Sequence, residues 1–346
     1  MTDMPAYRTL DVEVRGGRLR AGEWSRTIPA DHHGGPLVLA IHGITASHRS
    51  WAPVARALLD GAGHDGAGHD GAGPAVPGDA PRRLLAPDLR GRGRSNALPG
   101  PFGMAQHADD MAALLRAAGA SSDAPAVVLG HSMGAFVSLV LADRHPELVD
   151  RLILVDGGLP LELPAGMSRE EALHALLGPA IQRLSMEFPS AEAYLDYWRP
   201  HPAFAGTWGA DVEDYIRYDL DGEPPHLRPS TALAAVAGDN EDLYGGDALL
   251  GALGRLRVPT VLLRAERGFL DDPARLYPDE ALDRARREYP GIEVRDVPGT
   301  NHYTIIMADP GAAVVARTVA EAVRERTDGP HAVRAASPER VSDTPG

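Results

Sequence analysis

Six short apolar runs punctuate the chain: Leu37–Ile41, Leu84–Asp88, Ala126–Leu129, Arg151–Asp156, Val258–Arg264 and Ile292–Val297. Several are unbroken by polar residues, which predicts strands buried on both faces. Between them, apolar positions recur at helical spacing. Trp51, Val54, Leu58 and Leu59 share one side of Ser50–Asp60, and Ala108, Met111, Ala112 and Leu115 one side of Met104–Ala118. Ala135–Ala142, Asp279–Tyr289 and Ala312–Arg326 read as further helices. Tyr7–Val14 and Arg18–Trp24, joined at Gly16-Gly17, read as a hairpin ahead of the first buried strand. Strand alternating with helix argues for an α/β fold, a parallel sheet wrapped on both faces.

The alternation stops at Leu159. From there to about Leu256 the chain is largely helical and rich in aromatic residues, among them Phe188, Tyr194, Tyr197, Trp198, Trp208, Tyr215 and Tyr218. A helical block between two sheet strands predicts a cap over the strand ends, where open α/β sheets bind ligands. The expected organisation is core over 1–158, cap over 159–256, core again over 257–326, and a disordered tail over 327–346. Residues 61–73 repeat Gly-Ala-Gly-His-Asp. His64, Asp65, His69 and Asp70 have metal-ligand chemistry, but Gly-rich chain loses much entropy on ordering, so 61–81 is read as a flexible insertion.

Composition narrows the function. With a formal net charge of −14, the chain would be repelled by nucleic acid and by anionic membranes. There is no Cys, hence no disulfide, thiol nucleophile or thiolate metal site. All positive side-chain charge comes from Arg. The start, Met1 to Arg8, lacks a basic segment followed by an apolar one, and no later run is long enough to span a membrane, so the expected location is cytoplasmic and the expected partner a small molecule.

The candidate chemistry centres on Gly130-His131-Ser132-Met133-Gly134, with a buried strand before it and an apolar helix after. In that context G-x-S-x-G is a nucleophile elbow: flanking glycines allow a strained turn that lifts the Ser132 hydroxyl clear of the sheet. A serine hydroxyl needs a base to take its proton. Of 14 histidines, His302 is singled out because it follows the last strand and comes after the serine in chain order. His131 is expected to pack against the sheet, and His42 to hold the loop His42-Gly43-Ile44-Thr45 in shape. Gly43 lets that loop approach the elbow, so the amides of Ile44 and Met133 are the candidate oxyanion donors.

Together His42-Gly43, Asp88-Leu89-Arg90-Gly91-Arg92-Gly93-Arg94-Ser95, the elbow, Leu154-Val155-Asp156 and Asn301-His302 make the chain resemble the α/β-hydrolase fold family, in its serine esterase, lipase and peroxidase-like branch. The resemblance covers about Leu37 to Arg326. It implies a mostly parallel eight-stranded sheet flanked by helices, a helical cap after the sixth strand, a Ser–acid–His triad and no cofactor. One position departs from the family: where the acid follows the seventh strand, this chain has Gly268. Asp271, favoured, and Asp156 are the main candidates, with Asp272 and Glu266 behind them. The three arginines of the 88–95 segment are read as solvated charges on a structural turn. The resulting expectation is a carboxylesterase-type enzyme acting through an acyl-enzyme. Lactonase, thioesterase, carbon–carbon bond hydrolase and cofactor-free perhydrolase share the same residues. A silent small-molecule-binding protein on this fold is the alternative of another class.

Overall fold

The structure is a computed structural model that describes residues 5–26, 36–59, 81 and 83–328. The five-residue repeat and residues 329–346 lie outside the described residues. In chain order the elements are β1 (Ala6–Val14), β2 (Gly17–Ser25), β3 (Leu37–Ile41), α1 (Ala52–Leu59), β4 (Arg83–Pro87), α2 (Met104–Ala117), β5 (Ala126–His131), α3 (Met133–Arg144) and β6 (Val149–Val155). Then come α4 (Arg169–Arg183), α5 (Ala191–Trp198), α6 (Ala210–Tyr218), β7 (Leu220–Asp221), β8 (Arg228–Pro229), α7 (Leu233–Leu243) and α8 (Asp247–Gly254). The chain closes with β9 (Thr260–Arg267), α9 (Asp279–Glu288), β10 (Ile292–Asn301), α10 (Thr304–Met307) and α11 (Gly311–Asp328).

Eight strands form one sheet in the order β1-β2-β4-β3-β5-β6-β9-β10. Only β2 runs against the rest, paired antiparallel to β1 and to β4. Alternate side chains of each central strand enter opposite cores, as a period of two requires. Leu39, Ile41, Val128, Leu154 and Leu262 pack with α2, α3 and α8, whereas Val38, Ala40, Val127, Leu129, Ile153 and Leu263 face α1 and α11. Helix α3 is buried on nearly every side, from Met133 to Ala142, because sheet, α2 and α8 surround it. Its sequence is accordingly apolar all round.

The chain passes from β3 to β4 on one side and then crosses back over β3 to β5 on the other, a reversal of strand order of the kind beside which ligands bind at the strand ends. Helices α4 to α8 fill the interval between β6 and β9. Ser168 and Glu171 close a capping box at the start of α4, and the Ser190 hydroxyl accepts the Ala193 N–H at the start of α5. Helix α4 is kinked at Leu177 (φ −123°, ψ 16°), next to Gly178 and to Pro179, which offers no N–H to the helical ladder. Helix α11 runs to Asp328, two residues into the stretch assigned from sequence to the tail. Among the described residues no helix is long and apolar enough to cross a membrane.

Candidate active site

Strands β3, β5, β6, β9 and β10 all end on one edge, and the residues that follow them build the site. Ser132 follows β5 with φ 53° and ψ −124°, a conformation that few side chains adopt. Its surroundings leave no alternative. A Cβ on Gly130 would stand 2.2 Å from the Gly134 carbonyl oxygen, and one on Gly134 would stand 2.1 Å from that of Ile41. Ser132 N–H donates to the Val155 carbonyl (2.9 Å), tying the turn to the neighbouring strand.

His302 follows β10 and is buried; its Nδ1 lies 2.6 Å from Asp156 Oδ2. Asp156 is buried as well, and its other oxygen accepts the Ala265 N–H at 3.1 Å. With Nδ1 committed to the carboxylate, Nε2 is the nitrogen available to Ser132. Phe269 lies against the His302 ring, 3.8 Å between centroids and tilted by 38°. His131 Nε2 lies 2.7 Å from the His302 carbonyl oxygen, to which it donates. His131 therefore does more than pack against the sheet: it ties the elbow to the loop that carries His302. Burial, then the nearby His302, pushes the His131 imidazole well below its usual pKa.

The other acids favoured from sequence are engaged elsewhere. Asp271 Oδ1 accepts from Arg267 Nε at 2.6 Å and from Asn301 Nδ2 at 3.0 Å, and those bonds hold its carboxyl below the usual range. Asp272 accepts backbone amides of its own loop, including that of Ala274 at 2.9 Å. Glu266 accepts the Gly299 amide. The structure thus brings Asp156, and not Asp271, to His302. The loop after β9 has tightened where the resemblance would seat an acid: a Cβ on Gly268 would meet the Ala274 carbonyl oxygen at 2.2 Å. Asp156 takes up a φ of 44°, which a short carboxylate side chain tolerates better than most.

The oxyanion candidates lie near the elbow: Ile44 lines the cleft over Ser132, and Met133 follows Ser132 in the chain. Met133 is the first residue of α3, so its N–H has no partner inside the helix. Gly43 approaches Ser132 so closely that a Cβ there would lie 3.1 Å from Ser132 Cβ. The Leu89 N–H donates to His42 Nε2 at 3.0 Å, which leaves the proton on Nδ1 to donate to the Gly43 carbonyl at 2.7 Å. Because the peptide is planar and trans, holding the Gly43 carbonyl also fixes the direction of the Ile44 N–H. Burial, outweighing the nearby Asp88 carboxylate, brings the His42 imidazole down to about 3 and keeps it neutral.

A cleft of about 30 Å³ lies over Ser132, between Gly43, Ile44, Leu177, Tyr215, Phe269 and Met307. That is room for little more than water. Its walls are mostly apolar, and Leu177 and Tyr215 belong to the helical block between β6 and β9. Two arginines of the 88–95 segment correct the solvated-turn expectation, since Arg90 and Arg92 are wholly buried. Arg90 is held bidentately by Asp110 (2.9 Å to each oxygen) and donates to the carbonyls of Pro99 and Arg15. A charge this well matched can leave water. Among the described residues no cluster of three or more His, Asp or Glu side chains could hold a metal.

Comparison with known proteins gives the same architecture. Residues 36–182 match a family model described as the alpha/beta hydrolase fold. A lipase, LipV of Mycobacterium tuberculosis, is 33% identical over 276 residues, 72% of this chain and 92% of that protein. The 2-(acetamidomethylene)succinate hydrolase of Mesorhizobium japonicum is 28% identical over 273 residues, 78% of this chain and 82% of that protein. A crystal structure of an E-2-(acetamidomethylene)succinate hydrolase superposes with a TM-score of 0.66 at 23% identity, covering 92% of this chain and 100% of that one.

Proposed function

Since the chain belongs to the α/β-hydrolase family, we propose that it is a serine hydrolase that cleaves a compact, uncharged carboxylic ester through an acyl-enzyme. Ser132 is the nucleophile, His302 the base, Asp156 the acid that orients it, and the Ile44 and Met133 amides are the oxyanion donors. The observation that carries this reading is the buried 2.6 Å contact between His302 Nδ1 and Asp156, on the edge that presents Ser132. His302 Nε2 takes the Ser132 proton as Oγ attacks the ester carbonyl, and the oxyanion is held by the two amides. The imidazolium, stabilised by Asp156, returns the proton to the departing alcohol. Water then adds to the acyl-enzyme, His302 again taking and returning the proton, and the carboxylic acid leaves.

The cleft walls support the choice of an uncharged ester. Among the described residues the lining of the cleft over Ser132 includes no arginine, so a carboxylate on the acyl group would find no guanidinium partner there. Hydrolysis of p-nitrophenyl esters of graded acyl length, together with fluorophosphonate labelling, tests the assignment. Wild type should turn over the short esters and take up the label, and Ser132→Ala should do neither. A wild type that is inert to both overturns the reading in favour of a silent binding protein.

A further inference from the structure

Arg92 is one of the two buried arginines in the 88–95 segment, and its partners set it apart from Arg90. Its Nε donates to the Ile44 carbonyl at 2.9 Å, and one terminal nitrogen donates to the Arg90 carbonyl at 2.9 Å. The other terminal nitrogen pairs with Asp239 at 2.6 Å and lies 4.0 Å from Met133 Sδ. One guanidinium therefore touches both residues whose amides are assigned to the oxyanion, although these sit on separate elements.

Asp239 belongs to α7, in the helical block laid on the sheet. Its carboxylate also accepts the Gly103 N–H at 2.6 Å and contacts His107 Nε2 at 3.0 Å. Burial pushes that carboxyl up, but Arg92 and then His107 outweigh it and hold the group at about 2, charged across the working range. The start of α7 is seated on the same loop. Ala232 N–H donates to the Gly91 carbonyl at 2.8 Å, and Gly91 leaves room for Ala235, which a Cβ would meet at 2.5 Å. An arginine needed only to fill this space would not have to reach the Ile44 carbonyl.

We infer that Arg92, anchored by Asp239 of the cap, is a positioning residue that sets the spacing of the Ile44 and Met133 amides, so that seating of α7 governs the strength of the oxyanion hole. The inference rests on the nucleophile assignment above. Its signature is kinetic, because the two amides bind the developing oxyanion more strongly than the ground-state carbonyl.

The test compares wild type with Arg92→Met, Arg92→Lys and Asp239→Asn. It reads kcat and KM on a p-nitrophenyl ester, the second-order rate of fluorophosphonate labelling, and the melting temperature. Arg92→Met and Asp239→Asn should lower both kcat and the labelling rate about tenfold to a hundredfold, less than the roughly hundredfold to thousandfold that loss of an oxyanion donor costs, with KM within about threefold. Arg92→Lys should recover part of the loss. Should Arg92→Met fail to fold, Asp239→Asn and Arg92→Lys carry the same expectation. Folded variants that label and turn over at wild-type rates overturn the inference, even if they melt earlier. A wild type that takes no label removes the nucleophile assignment instead, and the inference falls with it.

Discussion

Asp156 reaches His302 across the end of an intervening strand. Asp156 follows β6 and His302 follows β10, and β9 lies between them in the sheet. The carboxylate bridges that gap by accepting the Ala265 N–H of β9 on one oxygen and meeting His302 Nδ1 on the other. The first prediction follows from this contact. Asp156→Asn should lower kcat by about 10³ to 10⁴ while leaving the fold in place, because an amide can hold the ring yet does not stabilise its cation. Asp271→Asn, which weakens a partly exposed pair with Arg267 and leaves an amide oxygen to accept from Asn301, should stay within about threefold of wild type. Kinetics of the two variants on one ester decide it, and the reverse ranking would move the acid to Asp271.

Backbone crowding behind the elbow gives a second prediction. A Cβ on Gly157 would lie 2.2 Å from the Ser132 carbonyl oxygen; Ser132 is held by its N–H to the Val155 carbonyl, and Asp156, next to Gly157, by its N–H to the Leu263 carbonyl. Gly157→Ala should therefore cost about 1–3 kcal/mol and lower the melting temperature by several degrees. Activity should fall further than stability, since the shift displaces the turn carrying Ser132. A variant as stable and active as wild type would show that the elbow can yield.

Much of this was legible in the chain because strands buried on both faces, the elbow and the two histidine loops are local patterns. The acid was not. Its choice depends on how the loop after β9 closes, and nothing in Arg264 to Asp272 says that Gly268 packs against Ala274 or that Arg267 captures Asp271. Arg92 was misread for a related reason. A run of arginines among glycines looks solvated, and its burial depends on Asp239, far away in sequence, which carries no local signal. Phe269 and His131 share that difficulty: each matters by what it touches across the sheet edge.

Two buried neutral imidazoles predict how stability responds to acid. His42 is held down at about 3, and His131 is also well below its ordinary value, both chiefly by burial. In the unfolded chain each takes a proton near pH 6.5, whereas the folded form refuses it. Their contribution is therefore complete above about pH 6.5 and is lost as the pH falls, by up to about 1.4 kcal/mol per pH unit for each. Urea unfolding of wild type and His131→Gln between pH 7.5 and 5 should give a shallower acid limb for the variant. Parallel limbs would mean that His131 is protonated in the folded protein.

The narrow cleft makes acyl length a question about Leu177. This residue sits at the kink of α4, where Pro179 has already cost the helix a hydrogen bond, and it lines the space of about 30 Å³ over Ser132. Ala172 and Ala175, five and two residues earlier on the same helix, line a separate cavity of about 320 Å³. An acyl chain longer than acetate that follows this cleft is expected to press on the Leu177 segment. Leu177→Ala should therefore raise kcat/KM for the hexanoate or octanoate ester relative to acetate by about tenfold, the scale of a few methylenes gaining a pocket. The truncation should also lower stability by about 2–5 kcal/mol, as core Leu→Ala changes do, because Leu177 is buried. An unchanged chain-length profile in a folded Leu177→Ala protein would place the limiting wall elsewhere, with Tyr215 and Met307 next to be truncated.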